Sequence, residues 1–217
     1  MTDKMDRRQV RTQQLLRQAL LELIESKGID SITVTDIATH AQVNRGTFYL
    51  HYRDVADLLE QWKEEAFERI RARAVQLDLN EAIACALNDE PYPTSIRLLE
   101  EFLANGDFFR VMFGPRGDLS YMLRFKELMR SNMYNKITYI LPEESEQLVP
   151  LDYLLTYLSS ANIGILQHWI ESGMKLSPRE VSLIMMRILC LGPLAATGYK
   201  LGKIQLPRIS TSAQRDG

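Results

Sequence analysis

Three polar side chains near the N-terminal end of the sequence have the chemistry needed to contact a polyanion. Arg45, Thr47 and Tyr49 alternate along the chain, and Gly46 lies among them. Side chains of these types form hydrogen bonds with phosphate oxygens and with the edges of nucleic-acid bases. Glycine has no Cβ and therefore lets a backbone approach such a surface closely. This combination predicts nucleic-acid binding.

A short helix is predicted just before these residues. Thr33 can cap its first turn, and Asp36 follows three residues later, near the positive end of the helix dipole. The apolar residues that follow are spaced i, i+3, i+4 and i+7, which is the spacing of one helix face. They are Val34, Ile37, Ala38 and Ala41.

A second short helix is predicted after a tight connection of two residues. Asn44 is a strong N-cap for this helix. Phe48 and Tyr52 are four residues apart, so they share one side and can pack against the preceding helix. Gly46 and Leu50 face the opposite side. Two short helices joined in this way form a helix-turn-helix, which places its second helix in the DNA major groove.

This segment resembles the TetR family of bacterial transcription regulators. The resemblance rests on the sequences VTDIA at 34–38, RGTFYLHY at 45–52 and DLL at 57–59, and it is specific over about residues 7–62. It implies an N-terminal three-helix domain, joined by a long helix to a larger helical domain for ligand binding and dimerisation. It also implies a homodimer that binds double-stranded DNA at a palindromic operator and responds to a small-molecule effector. A repressor is the expected type, with activation as the alternative, because helix-turn-helix proteins act either way according to where the site lies relative to the promoter.

The residues expected to contact DNA lie on both short helices and just after them. They are Thr33, Thr35, Asn44, Arg45, Gly46, Thr47, Tyr49, Leu50, His51, Tyr52 and Arg53. The alternative is a three-helix scaffold whose polar face is only solvated. TetR-like sequences commonly carry a phosphate-contacting lysine near the start of the next helix, where this sequence has Val55. Arg45 and Arg53 are the expected substitutes for that lysine.

A second and shorter resemblance lies in the C-terminal part of the chain. The stretches ANGDFFRVM at 104–112 and WIESGM at 169–174 look like a C-terminal domain of some TetR-like regulators from Gram-positive bacteria. Outside these stretches, the expectation of a helical C-terminal domain depends on apolar periodicity and on length.

Apolar periodicity predicts an all-α chain without strands. Gly28 has the position of a C-cap for the first helix, and Ser177, Pro178 and Glu180 have the pattern of a helix start. Residues 77–93 are rich in turn-forming residues and are expected to be irregular. Besides the two short helices, helices are expected at 7–27, 54–76, 94–104, 107–113, 118–140, 151–173 and 178–201.

The expected domains differ in charge. Residues 1–62 are expected to bind DNA, residues 63–206 to sense a ligand and dimerise, and residues 207–217 to form a disordered tail. The chain has a net charge of −2, but residues 1–53 contain eight Lys/Arg and six Asp/Glu. This asymmetry fits a modestly basic reading domain attached to an acidic sensor. Because the positive field is weak, tight binding is expected to depend on dimerisation and specific contacts.

Several features predict a cytoplasmic protein. No apolar run is long enough to span a bilayer, and the charged residues 1–8 lack the apolar stretch of a secretory signal. The two cysteines, Cys85 and Cys190, form no metal or redox motif and are expected to be buried, reduced thiols.

The last two long helices are expected to form a dimer interface. Both are apolar around more of their circumference than one core face requires, and a palindrome reader needs a two-fold dimer. The residues expected in the interface are Ile165, Trp169, Met185, Ile188 and Leu189. The alternative is that both helices are simply buried within one chain.

A cluster of aromatic and methionine residues is expected to line a ligand cavity. Flexible methionine side chains together with aromatic rings can form an adaptable apolar pocket. The expected lining residues are Phe102, Phe109, Met112, Phe125 and Met129, with Asn162 as a polar group. The alternative is an ordinary packed core.

Other classes of function receive little support from the sequence. It lacks a P-loop, a Gly-x-Ser-x-Gly motif, a His-Glu-x-x-His motif and a dinucleotide glycine fingerprint, so an enzyme is not expected. The spacing of His40, His51 and His168 is not that of metal ligands, and neither a metal nor a cofactor is expected. The remaining alternative is a TetR-like structural DNA-binding protein, or a co-regulator that acts with a protein partner and without an effector.

Overall fold

Regular structure in this chain is helical. A computed structural model describes residues 7–137 and 148–199, and no strand occurs in these ranges. The helices are α1 (Arg7–Lys27), α2 (Val34–His40), α3 (Arg45–Tyr49), α4 (Val55–Ala74), α5 (Leu79–Leu87), α6 (Pro93–Ala104), α7 (Gly106–Phe113), α8 (Leu119–Ile137), α9 (Leu151–Glu171) and α10 (Pro178–Ala195). The predicted all-α class is confirmed. None of these described helices combines the length and the apolar character that a membrane crossing requires.

Side-chain caps start three helices where the sequence predicted them. At α2, the Thr33 amide donates to the Asp36 carboxylate at 2.8 Å, and the Asp36 amide donates to the Thr33 hydroxyl at 3.2 Å. Ser177 and Glu180 form the same reciprocal pair at the start of α10. The Asn44 side chain accepts a hydrogen bond from an amide in the first turn of α3 at 2.8 Å. Each cap satisfies amide groups that a helix N-terminus would otherwise leave unpaired.

The segment at 77–93 is not irregular as predicted, because it contains α5. Asp78 caps this helix by accepting a hydrogen bond from the Glu81 amide at 3.0 Å. The helix packs against α10, and this tertiary contact stabilises a stretch too short to be predicted from periodicity. The turn-forming residues lie after α5, where Asp89 has a positive φ of 56°.

The end of α10 also differs from the prediction. Gly192 has a φ of 77° and stands before Pro193, so the regular helix is interrupted there and ends at Ala195 rather than 201. The predicted disordered tail at 207–217 lies outside the described residues, as do the last three positions predicted for α8.

The cysteines are less buried than predicted. Both Cys85 and Cys190 are free thiols; Cys85 is half-buried, whereas Cys190 is exposed. The prediction of two buried thiols was therefore wrong for Cys190, because its position on α10 faces away from the core.

The described residues form two compact units. The first contains residues 7–69 and 105–122, and the second contains residues 70–104, 123–137 and 148–199. α4 and α8 each contribute residues to both units. The boundary at 62/63, predicted between the DNA-binding and the sensing domain, stays a prediction.

The first unit holds the two short helices against α1. Leu20 of α1, Ile37 of α2 and Phe48 of α3 have no exposed surface, so a single apolar core fixes all three helices. Burial of each such side chain stabilises the folded state by roughly 1.5–3 kcal/mol, compared with leaving it exposed to water.

The segment containing α7 belongs to this first unit. Trp62 of α4 packs on Phe108 of α7 with ring centroids 4.5 Å apart. Arg110 forms an ion pair with Glu25 near the end of α1, and Arg116 donates to backbone carbonyls of the same turn at 2.6 and 2.7 Å. The contacts of Arg110 and Arg116 connect residues that are 85 to 91 positions apart in sequence.

The second unit is joined by a buried hydrogen-bond network between α6 and α10. The Tyr92 amide donates to the Ser182 hydroxyl at 3.0 Å, and the hydroxyls of Ser95 and Ser182 lie 2.6 Å apart. All three residues are buried. Because buried polar groups are costly when unpaired, this network favours one register of α6 on α10.

Candidate nucleic-acid interface and ligand cavity

A tight turn sets the angle between α2 and α3. Gln42 has a φ of 55°, and its amide donates to the Thr39 carbonyl at 3.1 Å. The next amide, that of Val43, donates to the Ala38 carbonyl at 2.9 Å. The chain therefore leaves α2 in a closed hydrogen-bonded turn and enters α3 at Asn44.

The inner face of α3 is formed by two aromatic residues. Phe48 has no exposed surface and Tyr52 exposes 2 % of its surface, with ring centroids 5.8 Å apart. Burial is the largest influence on the Tyr52 hydroxyl and raises its pKa. The prediction of a DNA contact from Tyr52 is thus corrected, because a residue four positions from Phe48 shares its inward face.

The outer face of α3 exposes large side chains. Leu50 exposes 81 % of its surface and Tyr49 exposes 52 %. The Arg45 guanidinium lies 3.4 Å from the Tyr49 hydroxyl, so the two side chains stand together. Of the other residues predicted to contact DNA, Thr33, Thr35, Asn44, Gly46 and Arg53 are exposed, while Thr47 and His51 are half-buried.

Gly46 is not required by the packing of the chain. A Cβ added at this position would meet only the side-chain oxygen of Asn44, at 3.4 Å, which is ordinary contact distance. The residue is exposed and has helical geometry. The packing of the chain would therefore accept alanine at this position.

Two charged pairs lie in the same unit as α3. The Arg53 guanidinium lies 3.0 Å from Asp57, and its side chain remains largely exposed; hydrogen bonds from the Arg53 amide and guanidinium lower the pKa of Asp57. Lys27 lies 2.8 Å from Asp36, and its hydrogen bond is the largest influence bringing the pKa of Asp36 to about 2. Val55, at the family's lysine position, is the first residue of α4.

The residues predicted for a dimer interface differ in how deeply they are buried. Ile165, Ile188 and Leu189 are half-buried. Trp169 is buried, and its indole N–H donates to the Leu176 carbonyl at 2.8 Å. Met185 is also buried. Trp169 is therefore a core residue of its own chain, which corrects its expected place on an outer surface.

Several exposed apolar residues of α9 and α10 lie outside the set predicted for the dimer interface. Tyr153 and Tyr157 are exposed one turn apart on α9, and Gly164 is exposed on the same face. On α10, Leu191 and Leu194 are exposed. Their i, i+4 and i, i+3 spacing was visible in the sequence, but the direction of each helix face was not.

The second unit contains a largely apolar cavity of about 120 Å³. Its wall comes from α5, α6, α8, α9 and α10, together with the residues that follow α4. The lining residues are Leu77, Asp78, Leu79, Ala82, Tyr92, Ser95, Leu98, Leu99, Phe102, Met129, Asn132, Met133, Lys136, Asn162, Leu166, Met185, Met186 and Leu189. Phe102, Met129 and Asn162 were predicted in a ligand site, whereas Met185 and Leu189 were predicted in the dimer interface.

The predicted aromatic cluster is divided between the two units. Phe109 and Met112 have no exposed surface and belong to the core of the first unit. Phe125 lines a smaller space beside the cavity, together with Ile70 and Ala74. The sequence pattern could not separate these groups, because it does not show which helices pack against each other. Lys136 and Asn132 were missed, although they continue the Met129 face of α8 at helical spacing.

The described residues include no group of three or more His, Cys, Asp or Glu side chains positioned to hold a metal ion. The cavity wall is almost entirely apolar, and its lining also includes the polar side chains of Ser95, Asn132, Lys136 and Asn162.

The sequence matches two family models. Residues 16–61 match the model described as bacterial regulatory proteins, tetR family. Residues 89–190 match a TetR C-terminal model described as a transcriptional regulator C-terminal region. Together these matches cover more than half of the chain and include both the exposed helix α3 and most of the cavity wall.

One relative and two solved structures illustrate the similarity. The HTH-type transcriptional regulator YxbF of Bacillus subtilis is 38% identical over 58 residues, which are 26% of this chain and 15% of that protein. A TetR transcriptional regulator from Streptococcus agalactiae has a TM-score of 0.55 at 22% identity, covering 85% of this chain and 96% of its own. FadR from Bacillus subtilis, in complex with stearoyl-CoA, has a TM-score of 0.52 at 16% identity, covering 82% and 98%. At these identities the two structures share the fold.

Proposed function

The chain belongs to the TetR family of bacterial regulatory proteins and is a transcriptional regulator, and we propose that it is a ligand-responsive repressor that binds a palindromic operator as a homodimer. The observation that carries this proposal is the outer face of α3. Tyr49 and Leu50 are largely exposed on a helix that is otherwise anchored by Phe48. Such an exposed aromatic and aliphatic pair, beside Arg45 and Gly46, is suited to base edges and phosphates.

The residues proposed to contact DNA form two groups, those that recognise bases and those that position the protein on phosphates. Tyr49, Thr47 and Gly46 are assigned to the major groove, because they lie on the outer side of α3. Arg45 and Arg53 are assigned to phosphates and replace the lysine that other family members carry at the Val55 position. Because the whole chain has a net charge of −2, specific contacts and dimerisation must supply much of the affinity.

Dimerisation is assigned to α9 and α10. The exposed Tyr153, Tyr157, Leu191 and Leu194 form the unpartnered apolar surface that these helices offer among the described residues, and exposed Gly164 permits close helix approach. A two-fold dimer would present two copies of α3 to half-sites about 34–36 Å apart, as a palindromic operator requires.

The cavity of the second unit is assigned to an effector. FadR of Bacillus subtilis, which shares this fold, was solved with stearoyl-CoA, and this supports an effector that has an apolar part. α4 is the proposed connection to the reading helix. It begins six residues after the end of α3, and it ends three residues before Leu77, which lines the cavity.

The experiment selects the DNA fragments that the purified protein retains from the fragmented genome that encodes it. It is performed at the physiological ionic strength of about 0.15 M. Wild-type protein should enrich a small number of palindromic sites upstream of genes, and Tyr49→Ala should lose that enrichment. Many unrelated sites far from promoters would indicate a structural DNA-binding protein instead. No enrichment without a second protein would indicate a co-regulator.

A further inference from the structure

The cavity of the second unit has one apolar end and one polar end. Leu98, Phe102 and Leu166 line both the cavity and the smaller space beside it, so they mark its apolar end. Asp78 and Lys136 line the cavity but not that smaller space. The wall is mostly apolar, so a ligand that fills the cavity needs an apolar body, and Lys136 offers a position for one polar group.

Lys136 is the cation at the polar end. Its ammonium donates to the carbonyl of Val75 at 3.0 Å and to the carbonyl of Leu77. Within residues 7–137 and 148–199, no carboxylate lies within ion-pair distance of this ammonium. Burial lowers the pKa of Lys136, while the charge of Asp78 acts in the opposite direction. A partly buried ammonium whose contacts are neutral carbonyls is stabilised by an anion.

The nearby acid does not fill this position. Asp78 accepts the amide hydrogen of Glu81 at 3.0 Å and so serves as the N-cap of α5. Its carboxylate is held at the positive end of a helix dipole, which is a favourable site for it without the lysine.

Asn132 supplies a second polar group one turn from Lys136. Its side-chain amide nitrogen is buried and has no hydrogen-bond partner among the residues that the structure describes. Asn132 lies four positions before Lys136 on α8, and both line the cavity. A buried donor without an acceptor destabilises the folded state, and a ligand oxygen at this point would satisfy it.

We propose that the cavity binds a compact carboxylic acid as its anion, with the carboxylate at Lys136 and Asn132 and the apolar body against Leu98, Phe102 and Leu166. The cavity volume of about 120 Å³ is slightly below the roughly 150 Å³ of an engineered cavity that holds benzene. The body of the acid is therefore a single ring or a short alkyl chain. This assignment rests on the proposed function in one respect, namely that ligand binding changes the affinity of the protein for DNA.

The bound anion also has a path to α4. Val75 and Leu77, whose carbonyls accept from Lys136, directly follow the last residues of α4. A carboxylate at the ammonium competes with these carbonyls for its hydrogen atoms. The same side chain thus recognises the ligand and holds the end of the helix that leads to α3.

Calorimetry of the full chain without DNA tests the assignment, with hexanoate and 1-hexanol as probes at pH 7. We expect hexanoate to bind at least roughly tenfold more tightly than 1-hexanol, because a hydrogen bond to a charged group adds at least this factor. Lys136→Met should remove the preference and retain 1-hexanol binding. Lys126→Met, which removes a charge from the same helix outside the cavity, should keep the preference.

The possible outcomes distinguish a wrong ligand assignment from a variant that does not fold and from a wrong proposed function. Thermal unfolding of each variant shows whether it is folded. If Lys136→Met does not unfold cooperatively, Lys136→Gln replaces it, because glutamine keeps a hydrogen-bond donor for the carbonyls of Val75 and Leu77. Equal binding of both probes, binding of neither, or an unchanged preference in the folded Lys136 variant overturns the proposal. Hexanoate binding by a protein that retains no DNA refutes the proposed function alone.

Discussion

Phe48 and Tyr49 are neighbours in sequence with opposite environments. Phe48 has no exposed surface, whereas Tyr49 exposes 52 % of its surface, and their rings meet edge to face with centroids 5.7 Å apart. The buried ring thus anchors α3 and supports the exposed ring beside it. One of these residues is needed for folding of the first unit, and the other is available for recognition.

Alanine substitutions at the two positions should therefore have different effects. Phe48→Ala should lower the free energy of unfolding by about 3–5 kcal/mol, because it removes a fully buried ring. Tyr49→Ala should change it by less than about 0.5 kcal/mol, as is usual for exposed positions, and should weaken operator binding at least roughly tenfold. Urea unfolding and gel-shift titration measure the two quantities. A stable Phe48→Ala variant together with an unfolded Tyr49→Ala variant would reverse the assigned faces of α3.

Gly46→Ala should affect DNA binding and not the fold. The added Cβ meets no atom of the chain closer than 3.4 Å, and alanine is the better helix former by up to about 1 kcal/mol. We expect an unchanged or raised melting temperature and a lower affinity for the operator. Gln14→Ala, at an exposed position of α1, is the control and should alter neither. Full operator affinity in Gly46→Ala would show that no DNA backbone or base approaches this residue.

The parts of the fold that depend on short-range interactions were predictable from the sequence. The caps at Thr33, Asn44 and Ser177 involve residues two or three positions apart. The outward direction of Tyr49 follows from the 100° turn of a helix at each residue, once Phe48 and Tyr52 define the inward face. The placement of α7 was not predictable, because it depends on contacts such as Arg110 with Glu25, which are distant in sequence.

The ligand cavity was predictable only in part for the same reason. Phe102 and Phe109 look equivalent in the sequence, yet one lines the cavity and the other fills the core of the first unit. Composition identifies side chains that can line a pocket, but the pairing of helices decides which of them do. Lys136 was missed because a single lysine near a helix end is usually solvated.

The stability of the first unit should depend on pH through Asp118. Burial on its own raises the pKa of this carboxyl, but hydrogen bonds from Lys63 and Ser120 outweigh burial and bring the pKa to about 2. The Lys63 ammonium lies 2.7 Å from the carboxylate. A lowered pKa stabilises the folded state fully above the unfolded value of about 3.9, and this contribution is lost as the pH falls through about 2.

Asp118 also caps α8, because its carboxylate accepts hydrogen bonds from the amides of Ser120 and Tyr121 at 2.9 and 3.2 Å. Comparison with Asp118→Asn isolates the contribution of the charge, because asparagine can form the same cap but carries no charge. Between about pH 5 and pH 2 the wild type should lose on the order of 2 kcal/mol more than the variant. Urea unfolding at several pH values measures the difference. Parallel pH curves for the two proteins would mean that the pair with Lys63 contributes no net stability.

Charged substitutions should distinguish the surface of α9 and α10 from their core. Leu191→Glu places a charge on an exposed position, so the protomer should fold, sediment as a monomer and bind the operator weakly. Trp169→Glu buries a charge and should unfold the second unit instead. Leu87→Glu, at an exposed apolar position of α5, is the matched control and should remain dimeric. A dimeric Leu191→Glu variant would place the interface elsewhere.

The number of protomers on one selected operator, measured by sedimentation together with a cleavage footprint of both DNA strands, tests the proposed function most directly. We predict two protomers on each operator and two protected half-sites whose centres are about 34–36 Å apart, one helical turn of DNA. Both features should be absent in Tyr49→Ala. One protomer on a single protected site, or protection that survives this substitution, would contradict a two-fold dimer that reads DNA through α3.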